Sequence, residues 1–435
     1  MTGRLTLLLL LAGLTGAPGA AAEPGNFAFS SDLSYGYSSE LDASMQGVAE
    51  LLPSLDIKLA ASTSFVASAR VRLDAADKLE PGRPSFASYA SASRPLALGT
   101  AGTAELRDFY LEFASERGLT RIGKQQIVWG RLDGIKVLDL LNPQEFREFI
   151  LDDFAESRIS LWSAYLDYNI GNWRTELAII PDATGHAIPD SGAWFELTAP
   201  RFRYGAQPGS PELPIVTITP GHSLDETAAG LRLSRQVGPS ELAFVAYSGT
   251  DPEPLGRVID INGTPTVEQY YERRDAFGFS VDMGLGAVVL RAEYAYQPER
   301  TFNYRPSNQL ATIELDQQRT AVGLDIDGPL GIFINMQYLV DTVSDAPAEL
   351  VRPARDRIGT LYLRKAFGYD KFVLEARWYH SFSDADRLAS VSFEYAFSDS
   401  TSFELAAHWF DGVDSGLFGQ FAKQDRVTLT LRHTF

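Results

Sequence analysis

The residue types that could carry chemistry in this chain are few and scattered. Gly221-His222-Ser223-Leu224-Asp225 partly matches the glycine-flanked serine elbow of hydrolases, but its last position is Asp225 and it precedes a strand. That elbow needs a strand, a sharp turn and then a helix to expose its serine, so no nucleophile is expected there. Ser392, Ser402 and His408 fall on neighbouring alternating runs, as a hydrolytic pair on a barrel wall would. Any barrel holding serine and histidine shows this by chance, and His408 is expected to line a lumen or a loop rim. Glu145, Glu148, Asp152, Asp153 and Glu156 group the hard oxygen ligands that calcium favours. No EF-hand spacing accompanies them, and Arg147 and Arg158 are placed to pair with the same carboxylates. His186, His222, His380 and His433 lack the spacing of a metal-binding H-E-x-x-H helix. No catalytic residue, metal site or cofactor is expected, and the chain reads as something other than an enzyme.

Most of the remaining charges sit inside a regular pattern. From about residue 26 onward, roughly ten residues of apolar and polar alternation are followed by a turn and another such run. Phe372, Leu374, Ala376 and Trp378 alternate with Val373, Glu375 and Arg377. Ala389, Val391, Phe393, Tyr395 and Phe397 follow on one face, then Phe403, Leu405, Ala407 and Trp409, then Val427, Leu429, Leu431, His433 and Phe435. A period of two marks strands with one apolar face. Short turns fall near 61–63, 116–118, 171–172, 238–240, 284–286, 328–330, 368–370 and 398–400. Between them lie longer stretches at 75–103, 131–157, 183–223, 250–266, 298–312, 342–355 and 412–424, with shorter ones near 39–46 and 383–386.

Short turns at one end and long loops at the other are the layout of a transmembrane up-and-down antiparallel β-barrel, with the turns periplasmic. The fold class is therefore all-β, with about 18 strands. Pro53 interrupts one proposed strand and makes 16 the alternative. Aromatic residues near strand ends, among them Tyr168, Trp173, Tyr294, Tyr296, Trp378 and Trp409, suit the two membrane interfaces. Backbone polar groups inside a bilayer need partners within the protein, so strands cross only when closed into a barrel whose outer face is apolar. The alternating charges then face the lumen. Asp108, Glu112, Arg174, Glu176, Arg291, Glu293, Asn335, Gln337, Arg364, Glu375, Arg377, Glu394, Glu404 and Arg432 are the inward positions. Arg174, Glu176, Arg291, Glu293, Arg364, Glu375, Arg377, Glu394 and Arg432 are expected to line a pore.

One stretch departs from the period of two. Ile135, Leu138 and Leu141, then beyond Pro143 Phe146, Phe149, Ile150 and Phe154, recur at helical spacing and predict an amphipathic helical loop within 131–157. Its apolar stripe must pack, either inside the barrel mouth or over other loops. Ile135, Leu138, Leu141, Phe146, Phe149 and Phe154 are the expected gate or constriction.

Composition agrees with export to a membrane. Residues 1–22 read as a signal peptide, with Arg4 before an apolar run from Leu5 to Leu14 and small residues Ala20-Ala21-Ala22 at a cleavage site. Residues 23–435 then form a single barrel domain. The chain is 45% hydrophobic, yet no later window approaches the apolar length of a membrane-spanning helix. With no cysteine, neither disulfides nor thiolate metal sites are available. A net charge of -18 excludes a nucleic-acid partner, since phosphates demand a basic surface.

A segment beginning Arg121-Ile122-Gly123-Lys124-Gln125-Gln126-Ile127-Val128-Trp129-Gly130, with Asp133-Gly134, Asp139, Asn142-Pro143 and the stretch from Asp153 to Arg158, carries a family resemblance. It resembles an uncharacterised proteobacterial outer-membrane β-barrel family, the domain of unknown function thirteen-zero-two. The resemblance implies a porin-like barrel in the bacterial outer membrane, encoded beside transporters of the resistance-nodulation-division type, and thus an envelope transporter as partner and hydrophobic or lipid-like cargo. It assigns no catalytic residue. The last run, Leu429-Thr430-Leu431-Arg432-His433-Thr434-Phe435, resembles the terminal signal read by the barrel assembly machinery. Outer-membrane lipid and that machinery are accordingly expected partners. Two functions remain: a transport barrel passing small or hydrophobic molecules, or a plugged barrel serving as scaffold, adhesin or docking partner of an envelope complex.

Overall fold

A computed structural model describes residues 25–435, apart from 83, 133, 153–155, 207–212 and 222–225. The signal-peptide expectation, Phe154, Asp153 and most of the serine-elbow segment lie outside the described residues. Eighteen antiparallel strands close on themselves. They are β1 (Gly25–Ser38), β2 (Ala43–Ala60), β3 (Thr63–Asp74), β4 (Gly102–Ser115), β5 (Gly118–Gln125), β6 (Leu161–Ile170), β7 (Trp173–Ile180), β8 (Ala228–Val237) and β9 (Ser240–Thr250). The second half comprises β10 (Arg273–Leu285), β11 (Val288–Tyr304), β12 (Ala311–Asp327), β13 (Phe333–Val343), β14 (Arg355–Phe367), β15 (Phe372–Ser381), β16 (Asp386–Ser398), β17 (Thr401–Asp411) and β18 (Arg426–Thr434). Each strand pairs with its successor, and β1 closes the ring on β18 from Ser30↔Thr434 to Tyr37↔Val427.

The count is 18, not 16. Pro53 lies inside the continuous β2, opposite Phe29 of β1. On its other side the ladder to β3 runs to Leu51↔Val71 and resumes at Ser54↔Ser68, while the β3–β4 register shifts between Ser68 and Ala69. A proline lacks the amide a ladder needs, and a local irregularity beside it absorbs the defect without ending the strand.

All eight short turns and the longer connections alternate as expected. One loop is shorter than its sequence suggests: β11 and β12 continue past a bulge between Gln297 and Arg300, leaving only 305–310 between them. Another carries structure of its own, since Leu255–Ile261 and Thr264–Tyr270 form a hairpin that Ile215–Thr217 joins in parallel.

Side-chain alternation gives the wall two different faces. Outward positions such as Phe244, Phe277, Val322, Leu374, Leu405 and Leu429 are exposed, while inward neighbours such as Arg232, Glu293, Gln317 and Asp341 are buried. Water would penalise so continuous an exposed apolar belt, and lipid would not. The molecule is a transmembrane β-barrel of the outer-membrane type.

Candidate functional site

After β5 the chain turns into the barrel instead of folding back over its rim. The described residues of 127–141 pack against the inward face of β6 to β13, and Trp129, Leu138 and Leu141 are buried there with Tyr165, Val245 and Leu339. Room for them comes from small inward residues: Ala178, Ala228, Ala276, Ala295 and Ala321 belong to the same cluster. Gly230, Gly278 and Gly323 leave the closest approaches. A Cβ at Gly230 would lie 2.6 Å from Trp129 and one at Gly323 would lie 2.7 Å from Leu132, while one at Gly278 would collide with Leu138.

The segment is not the amphipathic helix its spacing suggests. Among the described residues of 131–157 there are turns and bridges but no helix. The physical reason lies in where its backbone bonds go, because buried amides must find partners whatever the conformation. Glu293 on β11 accepts the amide of Leu138 at 2.9 Å and also that of Arg131. Asn142 accepts the Ile127 amide at 2.8 Å and donates to the Ile159 carbonyl at 2.7 Å. Arg274 on β10 donates to the Leu140 carbonyl at 3.0 Å, and Arg158 binds Asp139 at 2.7 Å. Wall side chains supply what an internal helical ladder would.

The second half of the segment is tied by charge. Glu145 is surrounded by Arg72 at 3.1 Å, Arg147 at 2.8 Å and Arg70, and Glu148 meets Arg426 at 2.5 Å. Glu156 lies 3.8 Å from Arg70 and 3.7 Å from Arg107. Of the carboxylates weighed as calcium ligands, Glu145, Glu148 and Glu156 are thus engaged by wall arginines, while Asp152 keeps a buried carboxylate oxygen without a hydrogen-bond partner. Arg147 joins those arginines as expected, whereas Arg158 goes to Asp139. Burial would raise the Glu145 carboxyl, but Arg70, Arg147 and Arg72 hold it well below the usual range. Burial pushes Asp152 up to about 7, with Glu148 and Glu145 adding to the effect against Arg72.

His186 buttresses the same stretch. Its Nδ1 accepts the Gln144 amide at 2.8 Å, and its ring lies edge-on to Phe146 at 5.3 Å. Burial lowers the imidazole to about 4, so it accepts as the neutral form. Phe149 enters a second aromatic cluster with Phe195, Phe410, Phe418 and Phe421.

The expected pore-lining residues divide between two surroundings. Glu293 is consumed in anchoring the segment, and Glu176 is buried against Tyr165 at 2.6 Å and Arg232. Arg174 binds Asp167 at 2.6 Å near the turn end, and Arg291 pairs with Asp325. Arg364 lies 3.5 Å from Glu375, which also receives Arg377 at 3.0 Å. Glu394 stands directly across from Glu404, and Arg432 binds Asp32 at 3.0 Å. His408 does line the lumen, but its Nδ1 meets Ser390 at 2.9 Å; Ser392 and Ser402 face Ala406 and Ala396 in register.

Two cavities adjoin. The first, about 290 Å³, lies along the inward faces of β1 to β3 and β15 to β18, the side the segment leaves unfilled. Glu375, Arg377, Glu394 and Arg432 line it, together with Asp32, Glu50, Arg72, Glu404 and Arg426. The second, about 620 Å³, lies between the segment, the loops and the inward faces of β12 to β15. Ile135, Phe146 and Phe149 from the expected gate line it, with Leu197, Phe202, Leu339 and Phe418. Asp152 and Arg377 belong to both. Sequence reasoning missed Trp129, Leu132 and Leu140 and the small residues opposite them. Their one signal was glycine and alanine recurring at inward positions of consecutive strands.

Solved structures share the architecture. OccK8 (OprE) of Pseudomonas aeruginosa aligns over 96% of this chain and 99% of its own, with a TM-score of 0.51 and 9% identity. OccK11 (OpdR) of the same organism aligns over 94% and 96%, with a TM-score of 0.51 and 8% identity. OccAB1 of Acinetobacter baumannii gives the same coverage, score and identity. At such identities the likeness is one of fold, that of bacterial outer-membrane barrels. Among curated proteins none matches the chain. Residues 97–435, which hold the inserted segment and fifteen of the eighteen strands, match the model for the protein of unknown function DUF1302, and the chain belongs to that family.

Proposed function

We propose that this protein is a porin-like channel of the outer membrane that passes small amphipathic or hydrophobic molecules, narrowed by the segment 127–141. The observation that carries the reading is that the two cavities lie side by side and share wall residues. Asp152 and Arg377 stand in the wall of both the apolar chamber under the loops and the charged cavity of the lumen. A solute with an apolar body gains by entering the first, and the charged walls of the second select what proceeds. The inserted segment is held by side chains of the wall, which suits a fixed constriction better than a free lid.

Single-channel recording in planar bilayers tests this, comparing the protein with a version whose residues 131–142 are replaced by a Gly-Ser stretch of equal length. Stepwise currents that grow in the replaced version are expected. Folded protein without current in either version would refute the channel and favour a plugged scaffold.

A further inference from the structure

The larger cavity is not uniformly apolar, and its charged corner is unevenly paired. Arg319 of β12 and Arg352 of the loop after β13 both approach one carboxylate oxygen of Asp341, at 3.4 and 2.9 Å. Gln317 already donates to both oxygens of that carboxylate, at 2.7 and 2.9 Å. The Nε atoms of Arg319 and Arg352 are buried without a hydrogen-bond partner. Behind them Arg274 and Arg300 share Asp251, and Glu253 adds one further carboxylate on Arg300. Four guanidinium groups thus face three carboxylates.

A guanidinium presents a planar fork of donors that matches a carboxylate, and a buried donor left unmatched costs free energy. The corner opens onto an apolar surface, with Phe146 and Phe202 among the residues lining the same chamber. Its volume of about 620 Å³ lies within the roughly 300–1,000 Å³ of small-molecule sites. We propose that this chamber binds an amphipathic carboxylate, its acid group received by Arg319 and Arg352 and its apolar body by the aromatic wall. The site deepens the channel reading and rests on it only for the statement that the bound molecule is cargo.

The test titrates dodecanoate, dodecanol and dodecylammonium into the full chain in lipid nanodiscs, with empty discs subtracted. Dodecanoate is expected to bind about tenfold or more tightly than either analogue, since only it brings a fourth carboxylate to the four guanidinium groups. Arg319→Gln and Arg352→Gln should each weaken it about tenfold while leaving dodecanol unchanged. Heat-modifiable migration on gels reports whether each barrel is folded. Asp341→Asn provides a variant with the opposite sign: removing the competing carboxylate frees both arginines, and dodecanoate should bind more tightly. Equal binding of dodecanoate and dodecanol, or tight dodecanoate binding that survives in the folded arginine variants, would overturn the proposal. Stepwise currents without dodecanoate binding would sink this site and spare the channel. Binding without currents would do the reverse.

Discussion

Glu145 and Glu293 hold the inserted segment from its two halves by different means. Glu293 is a wall residue that accepts backbone amides of the segment, whereas Glu145 is a segment residue gripped by arginines. A buried carboxylate shared by three guanidinium groups is costly to remove, because the cations it leaves behind stay buried. Glu145→Gln should therefore weaken the docking of the segment by roughly 3–5 kcal/mol while the strand ladder persists. Limited trypsin digestion should cut at Arg147 in this variant and spare the unaltered protein; equal protection in both would refute the anchoring role. His186 adds a pH dependence. Its imidazole is lowered to about 4 and serves the Gln144 amide as an unprotonated acceptor, so its contribution is complete above the ordinary histidine value. That contribution fades as pH falls from about 6.5 through 4, because the unfolded imidazole protonates first. Hydrogen exchange at the Gln144 amide should accelerate across that window. His186→Gln, which keeps an acceptor and does not titrate, should flatten the profile, and an unchanged profile would rule His186 out.

At the scale of elements, the inserted segment and the wall are complementary shapes. Gly230 and Gly323 face Trp129 and Leu132 at distances no side chain could share, so a larger residue must displace the segment or strain the strands. Gly230→Val and Gly323→Val should leave a heat-resistant barrel with larger and noisier single-channel currents. Currents identical to those of the unaltered protein would mean that the segment does not narrow the path. This complementarity also marks the limit of what the sequence reveals. The period of two in runs such as Val427 to Phe435 determines which face meets lipid, because one step along a strand reverses every side chain. Alternating loop lengths give the up-and-down order for the same local reason. The segment was legible as an apolar stripe that must pack, and Ile135, Leu138 and Leu141 do pack. Its conformation was not legible. A helix satisfies its own amides, and nothing local announces that Glu293, distant in sequence, would receive those of Arg131 and Leu138 instead. The arginines around Glu145 come from β3 and from the segment itself, so only the closed ring brings them together.

The whole molecule distributes its charge unevenly around the lumen. With one side filled by the segment, the cavity along β1 to β3 and β15 to β18 carries eight carboxylate side chains against four arginines. Pairs such as Arg432 with Asp32 and Arg377 with Glu375 cancel part of this charge, and Glu394 and Glu404 lie in direct register on adjacent strands. Like charges in direct cross-strand register are unfavourable unless a cation or water relieves them, and they make the local field negative. A passage with that excess should favour cations, most clearly at low salt, where the screening length is longest. Reversal potentials measured in a potassium chloride gradient should therefore show potassium crossing more readily than chloride. The variant carrying both Glu394→Lys and Glu404→Lys shifts the lining by four charges, enough to offset the acidic excess, and should bring the reversal potential close to zero. Preference for chloride in the unaltered protein, or selectivity unmoved by the double reversal, would mean that ions take another route than the passage on this side of the barrel.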